Sequence, residues 1–146
     1  MSLGRVIPFL IIFLLVLSQL SCREHVGTVG VIQVIDGDTI IVDGGYHVRY
    51  IGIDSPERDD PYYLESRQMN KELVGGKQVK LRRDISDKDK FGRLLRYVYI
   101  GDTFINAEMV RQGYAYTKIY LPDTKYQAYL EAMEKEARQA KRGIWE

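Results

Sequence analysis

Two short β-branched runs, each flanked by carboxylates, fill the stretch Val34–Glu57, VIDGDTIIVDGGYHVRYIGIDSPE. Ile40–Val42 follows Asp36-Gly37-Asp38-Thr39, and Val48–Ile53 runs into Asp54-Ser55-Pro56-Glu57. Between them Asp43-Gly44-Gly45 is a hairpin signal, because glycine tolerates the positive φ that tight turns need. Folding that hairpin sets the start of one strand beside the end of the next. Asp38 and Asp54 then meet although sixteen residues separate them. Arg49 alternates in phase with Ile51 and Ile53, so strand periodicity points it inward. An arginine on the apolar phase beside two carboxylates marks a candidate site.

Around this hairpin the chain reads as a small barrel. Val26–Ile35 is a strand, with Gly27 and Gly30 allowing twist or close contact. Ile40–Val42 and Tyr46–Ile53 form the hairpin, and a polar loop leads to Pro61, which suits a turn or a helix start. Tyr63–Val74 has helix composition, with Ser66, Met69 and Leu73 at helical spacing and Gly75-Gly76 as its stop. Gln78–Arg82 and Leu94–Ile100 are further strands, joined by the polar connection Asp84–Arg93. Asn106 is expected to cap a short helix through Arg111, which Gly113 ends. Asp123 is expected to cap the longest helix, with Tyr126, Leu130, Met133, Ala137 and Ala140 as its buried stripe. Gly143 closes it, and Ile144-Trp145 is expected to fold back as a hydrophobic latch, with Trp145 in the core rather than stacking on a nucleobase. Five strands, with helices after the third and the fifth, give a mixed α/β chain with a five-stranded OB-fold β-barrel and three helices.

Charge limits the kind of partner. The 146 residues suit a single domain, and the formal net charge is only +1. General attraction to a polyanion is therefore excluded, and any such binding must come from a local patch. Lys77–Arg96 carries eight basic and three acidic residues, whereas Asp54–Glu65 carries five acidic and one basic. That contrast fits a cation site beside an anion site.

The N-terminus reads as a separate segment. Arg5 precedes Val6–Leu17, an apolar run of the length of a signal-peptide core and short for a membrane span. Residues 1–22 are expected to be a signal peptide or an N-terminal membrane or lipoprotein segment, with the folded domain at 23–146. The sole cysteine, Cys22, rules out an internal disulfide and stands where a bacterial lipoprotein would be cleaved and lipidated. The expected location is secreted or extracytoplasmic, with attachment to a membrane through the N-terminal segment or a lipidated Cys22 as an option.

The chemistry follows from residue type. Asp38 and Asp54, with carbonyls and waters, suit a hard cation such as Ca²⁺ or Mg²⁺. His25 and His47 are isolated and give no zinc cluster. Glu57 can activate a water if it faces the metal, and Arg49 and Arg93 can each grip a phosphate in bidentate fashion. Taken singly, DGDT is also an Asx turn, Pro56-Glu57 a loop start and either arginine a salt-bridge former. Their combination is what points to catalysis.

These motifs resemble the staphylococcal nuclease-like (thermonuclease) family over about residues 26–145. The resemblance rests on Val34–Thr39 (VIDGDT), Arg49–Glu57 (RYIGIDSPE), Asp89–Leu95 (DKFGRLL), Ile105–Gly113 (INAEMVRQG) and the closing Gly143-Ile144-Trp145. It implies a staphylococcal nuclease-like fold and calcium-dependent hydrolysis of DNA or RNA that leaves 3′-phosphate ends. By the same resemblance Asp38, Asp54 and the carbonyl of Ser55 would hold Ca²⁺. Arg49 and Arg93 would bind the scissile phosphate, and Glu57 would act as general base. Lys90 and Phe91 would contact substrate, with phenylalanine where a tyrosine is familiar, and Tyr120 would add to a stacking wall. A monomer acting on single-stranded nucleic acid in preference to duplex is the expectation. The alternatives are a non-catalytic nucleic-acid or protein-binding OB module and, third, a structural envelope module anchored through its N-terminus.

Overall fold

In a computed structural model of the chain, residues 27–146 are described; the apolar segment, Cys22 and His25 lie outside them. The first strand, β1 (Thr28–Val34), pairs antiparallel with β2 (Thr39–Val42), which turns back into β3 (Tyr46–Tyr50). The three-residue turn closes with the Gly45 amide on the Val42 carbonyl at 3.0 Å. Register in the hairpin is Thr39 opposite Arg49 through Val42 opposite Tyr46. A bulge at Ile32 bends β1 away, and that side chain is exposed.

The expected strand Tyr46–Ile53 is broken. The chain turns at Ile51-Gly52 and resumes as β4 (Ile53–Asp54), which pairs with β8 (Tyr116–Thr117) instead of continuing the barrel. Gly52 sits at φ +81°, and a Cβ there would lie 2.5 Å from Leu130 Cδ1. Position 52 therefore requires glycine on two counts. Alternation alone could not see this turn.

The barrel closes through β5 (Gln78–Arg82) and β6 (Leu94–Ile100), in the order β3-β2-β1-β5-β6, with β6 returning parallel to β3. A two-residue β7 (Thr103–Phe104) extends the far edge. The result is the mixed α/β, five-stranded OB barrel with three helices: α1 (Tyr63–Val74), α2 (Ile105–Arg111) and α3 (Gln127–Gln139).

The main core joins barrel to helices. Val31, Val34, Ile40, Val48, Tyr50 and Ile53 pack against Val74 of α1, Met109 and Val110 of α2, and Leu130 of α3. Burying one such side chain is worth about 1.5–3 kcal/mol. A second cluster, Ile51, Leu95 and Tyr97, fills the space between β6 and the α3 entry, with Phe104 and Tyr126 against it.

Several expected local roles are replaced by long-range ones. Asn106 does not cap α2, which begins at Ile105. It is fully buried, accepts the Val98 amide at 2.9 Å and donates to the Ile51 carbonyl at 2.8 Å. Asp123 does not cap α3, which begins at Gln127; its carboxylate accepts the amides of Ile85 and Ser86. Of the expected stripe, Leu130 and Ala137 are buried and Tyr126 and Met133 half-buried, whereas Ala140 lies past the helix end and is exposed. Trp145 belongs to neither core cluster. It lies half-buried on the outside of α3, edge-on to Tyr116 and under the Arg138 guanidinium at 3.8 Å.

Candidate active site

The hairpin delivers the arrangement that its sequence demands. The Tyr50 amide bonds the Asp38 carbonyl at 2.9 Å, so the loop after β1 lies against the end of β3. Two buried amides hold the flanking loops in place. Asn70 of α1 donates to the Asp36 carbonyl at 2.8 Å and accepts the Tyr50 hydroxyl at 2.9 Å. Asn106, as above, holds the carbonyl of Ile51 just before Asp54. Gly37 is required for a close approach: a Cβ there would collide with Ser66 Oγ and lie 2.6 Å from Ser55 Cβ.

Arg49 is the hub. It is 4% exposed, and all five of its N–H donors face acceptors. Nε lies 3.2 Å from Asp38 Oδ1, and Nη2 donates to Asp54 Oδ1 at 2.7 Å and to the Tyr120 hydroxyl at 3.0 Å. Nη1 donates to the carbonyls of Tyr50 and Ile53 at 2.7 and 2.8 Å. One guanidinium thus bridges the two aspartates.

Asp38 is buried and further fixed by the Thr39 hydroxyl at 2.9 Å and the Ser55 amide at 2.7 Å. Asp54 is the accessible member, 35% exposed at its side chain, and its Oδ2 takes the Lys118 ammonium at 2.9 Å. That hydrogen bond raises the pKa of Lys118 above its ordinary value. Asp36, two residues before Asp38, is pushed up from 3.8 to about 6, first by burial and then by the charge of Asp38.

A metal would have to come to this pair. Among the described residues no cluster of three His, Cys, Asp or Glu side chains is assembled to hold one. The donor chemistry nevertheless fits a hard divalent cation, with two carboxylates and the Ser55 carbonyl complemented by water and substrate oxygens. A cation, Lys118, already balances the exposed oxygen of Asp54. Among the described residues no cysteine or histidine contributes, so the donor set is one of hard oxygens.

Among the described residues, Glu57 and Arg93 make no hydrogen bond or ion pair with this hub. Glu57 is exposed on a turn in which its own amide bonds Asp60 Oδ2 and its carbonyl accepts the Asp60 amide. Its carboxylate has no hydrogen bond or ion pair among the described residues. Arg93 pairs with Asp89 through Nε at 2.7 Å. Arg49 is opposite Leu95 in the parallel β3–β6 pair, and Arg93 lies in the loop just before β6 begins at Leu94. Burial opposes the ionisation of Asp89, but hydrogen bonds from Arg93 and Phe91 outweigh it and hold that carboxyl below its usual range.

Phe91 is 72% exposed, with the Lys90 ammonium 5.1 Å and the Arg93 guanidinium 5.5 Å from its ring centre. Tyr120 is half-buried on the hub, whereas Tyr116 packs on Trp145 and Tyr114 lends its carbonyl to Ser66. Sequence reasoning missed Lys118, Asp36, Asn70 and the true role of Asn106. For Asp36 the signal was present in the DGD repeat; the other three act on partners remote in sequence.

A closed OB barrel carrying an arginine-bridged aspartate pair defines the class to which this fold and site belong. The comparisons narrow that class. A family model described as "Staphylococcal nuclease homologue" matches residues 47–146. The chain is 39% identical over 127 residues to a protein named "Thermonuclease" from Staphylococcus hyicus, covering 81% of this chain and 75% of the relative. It is 38% identical over 123 residues to the "Thermonuclease" of Staphylococcus intermedius, covering 78% and 73%. "Endonuclease YncB" of Bacillus subtilis (strain 168) is 36% identical over 124 residues, covering 77% of this chain and 59% of the relative. The chain belongs to the staphylococcal nuclease family.

Proposed function

We propose that the chain is a calcium-dependent nuclease that hydrolyses phosphodiester bonds of DNA or RNA and leaves 3′-phosphate ends. The observation that carries the reading is the single guanidinium shared by Asp38 and Asp54, with Asp54 still open to solvent. The names of the relatives, thermonuclease and endonuclease, support the same reaction class.

In this reading Asp38, Asp54 and the Ser55 carbonyl hold the calcium ion, which when bound supplies positive charge beside the phosphate. Arg49 exchanges some of its present partners for phosphate oxygens, its Nη2 edge toward Tyr120 being the one nearest Asp54. Arg93 approaches from the loop before β6 and grips a second oxygen, so negative charge that builds on the phosphoryl group meets two guanidinium groups. Glu57, whose carboxylate is unengaged, takes a proton from the attacking water. The water oxygen bonds to phosphorus, the bond to the 5′-oxygen breaks, and that oxygen is protonated from solvent. Lys90, Phe91 and Tyr120 flank the strand. Exposed aromatic faces favour unpaired bases, which is why single-stranded substrate is preferred. Export, with or without lipid on Cys22, rests on the apolar run Val6–Leu17.

The test incubates the purified chain with denatured DNA and with RNA in Ca²⁺, Mg²⁺ or excess chelator, and analyses product ends. Calcium-dependent fragments with 3′-phosphates, suppressed about a hundredfold or more by Glu57→Gln, are expected. Protein that binds the strand and never cuts it would leave a binding module in place of the enzyme.

A further inference from the structure

The face of β6 that carries Leu95 opposite Arg49 continues through Tyr97 to Tyr99. Four residues at about 3.3 Å each put Tyr99 roughly 13 Å from the site end of the strand. There the barrel opens a cavity of about 480 Å³ lined by Lys80, Arg82, Tyr99, Asp102, Phe104, Tyr126 and Tyr129. None of these residues is used by the site described above.

The rings are ordered as a stack. Tyr99 and Phe104 lie parallel within 13°, centroids 4.8 Å apart, and Phe104 and Tyr129 within 15° at 6.2 Å. Tyr129, the outer member, is half exposed. Core packing explains Tyr126, which is edge-on to Tyr97, but it does not explain an outer ring left in solvent. Cations accompany the rings: the Arg82 guanidinium lies 5.4 Å from the Tyr99 centre and the Lys125 ammonium 5.3 Å from that of Tyr126. Lys80 faces Tyr99 across the β5–β6 pair. Among the described residues no carboxylate forms an ion pair with Lys80, Arg82 or Lys125.

Flat apolar rings with unpaired cations on a nearly neutral chain match a ligand that is flat and anionic at once. An unpaired nucleobase with its phosphate has that chemistry; a duplex, whose base faces are covered, does not. The cavity lies on the same β-strand as the phosphate-handling end, separated from it by the buried Leu95 and Tyr97, so a nucleic-acid strand reaching both would pass over that cover. We propose that this cavity is a second nucleic-acid subsite, which stacks a base of a single strand and holds its flanking phosphate beyond the cleavage position. The proposal rests on nucleic acid being the substrate. OB barrels cover about 4–16 nucleotides, so a strand longer than the cleavage site needs is available to reach it.

The experiment measures binding by fluorescence anisotropy in excess chelator, where no strand is cut, using labelled oligothymidylates of three and sixteen nucleotides. The purified chain is compared with Tyr129→Ala, with Tyr129→Ala/Lys80→Gln and with Tyr129→Phe. The double variant is expected to bind the 16-mer at least about fivefold more weakly, the low end of one lost base stack. Its salt slope should fall by about one ion, and trimer binding should be unchanged. Tyr129→Phe, which keeps the ring, should stay within twofold of the parent. Equal 16-mer affinity in parent and double variant overturns the subsite, as does parallel weakening of the trimer. Calcium-dependent cleavage by the parent is scored separately. If that fails while the 16-mer difference persists, the hydrolytic reading falls and the subsite stands.

Discussion

The two arginines of the site are held in opposite ways. Arg49 is buried at the end of β3, its donors facing carboxylates, carbonyls and a phenol drawn from four separate segments. Arg93 is 30% exposed at its side chain, held by a neighbour four residues away and covered on one side by the open Phe91 ring. The barrel fixes the first arginine, and a local loop fixes the second. Pre-organisation at one end and adaptability at the other would let the phosphate be positioned by Arg49 and closed upon by Arg93.

The contrast should separate stability from activity, and this is where the largest effect is expected. Arg49→Ala leaves the buried Asp38 without a countercharge and strands two carbonyls, a loss of about 3–5 kcal/mol in denaturant unfolding, while Asp54 keeps Lys118. Arg93→Ala removes an arginine from a mostly local pair, so unfolding should change by no more than about 1 kcal/mol. Its cleavage rate should nevertheless drop by about 10²–10³ at unchanged fold. Equal destabilisation by the two substitutions would show that the loop arginine is as deeply integrated as the barrel one.

What could be read from the sequence follows the same division. The hairpin and the meeting of Asp38 with Asp54 depend on one turn and a period of two, which are local signals; Arg49 is buried as expected, but not by alternation with Ile51 and Ile53, because β3 ends at Tyr50. The positions misread were those whose partners lie far along the chain. Asn106 has the residue type of a helix cap, yet it serves a carbonyl 55 residues earlier. Asp123 looks like a cap and holds amides 37 and 38 residues earlier. Lys118 sits in a stretch without periodicity, and only the β4–β8 pair brings it to Asp54. The break at Gly52 was hidden because Ile51 and Ile53 are both buried, as an uninterrupted strand would also have them.

A smaller effect tests how dry the Arg49 end is. Asp36 carries a folded pKa of about 6 against 3.8 for the free group. Because the folded value is the higher, the native state holds the proton longer, and stability falls as pH rises through that window. Below about pH 3 both states are protonated and there is no penalty; above about pH 7 the penalty is complete. Sharing with Asp38 keeps the effect near about 1–2 kcal/mol. Asp36→Asn, which still accepts the Asp38 amide, should be more stable than the parent by that amount at pH 7 and equal to it at about pH 3. Urea unfolding in excess chelator reads the difference. A gain of the same size at both pH values would assign it to packing and not to charge.

The smallest expected effect lies where the two ends meet solvent, at Lys118. Its ammonium neutralises the one oxygen of Asp54 that Arg49 leaves open, so a divalent cation and this lysine compete for the same carboxylate. Both partners are well exposed, which limits the pair to about 0.2–1 kcal/mol after screening. Lys118→Met should therefore tighten calcium binding, followed by calorimetry without substrate, by no more than about fivefold. The gain should shrink in about 0.5 M salt, where the ammonium is already screened from Asp54. Arg49 would remain in place, because its hold on Asp38 and the two carbonyls does not pass through Lys118. Weaker calcium binding in the variant would reverse the assignment: the lysine would then be orienting Asp54 for the metal, and the exposed end of the site would be as pre-organised as the buried one.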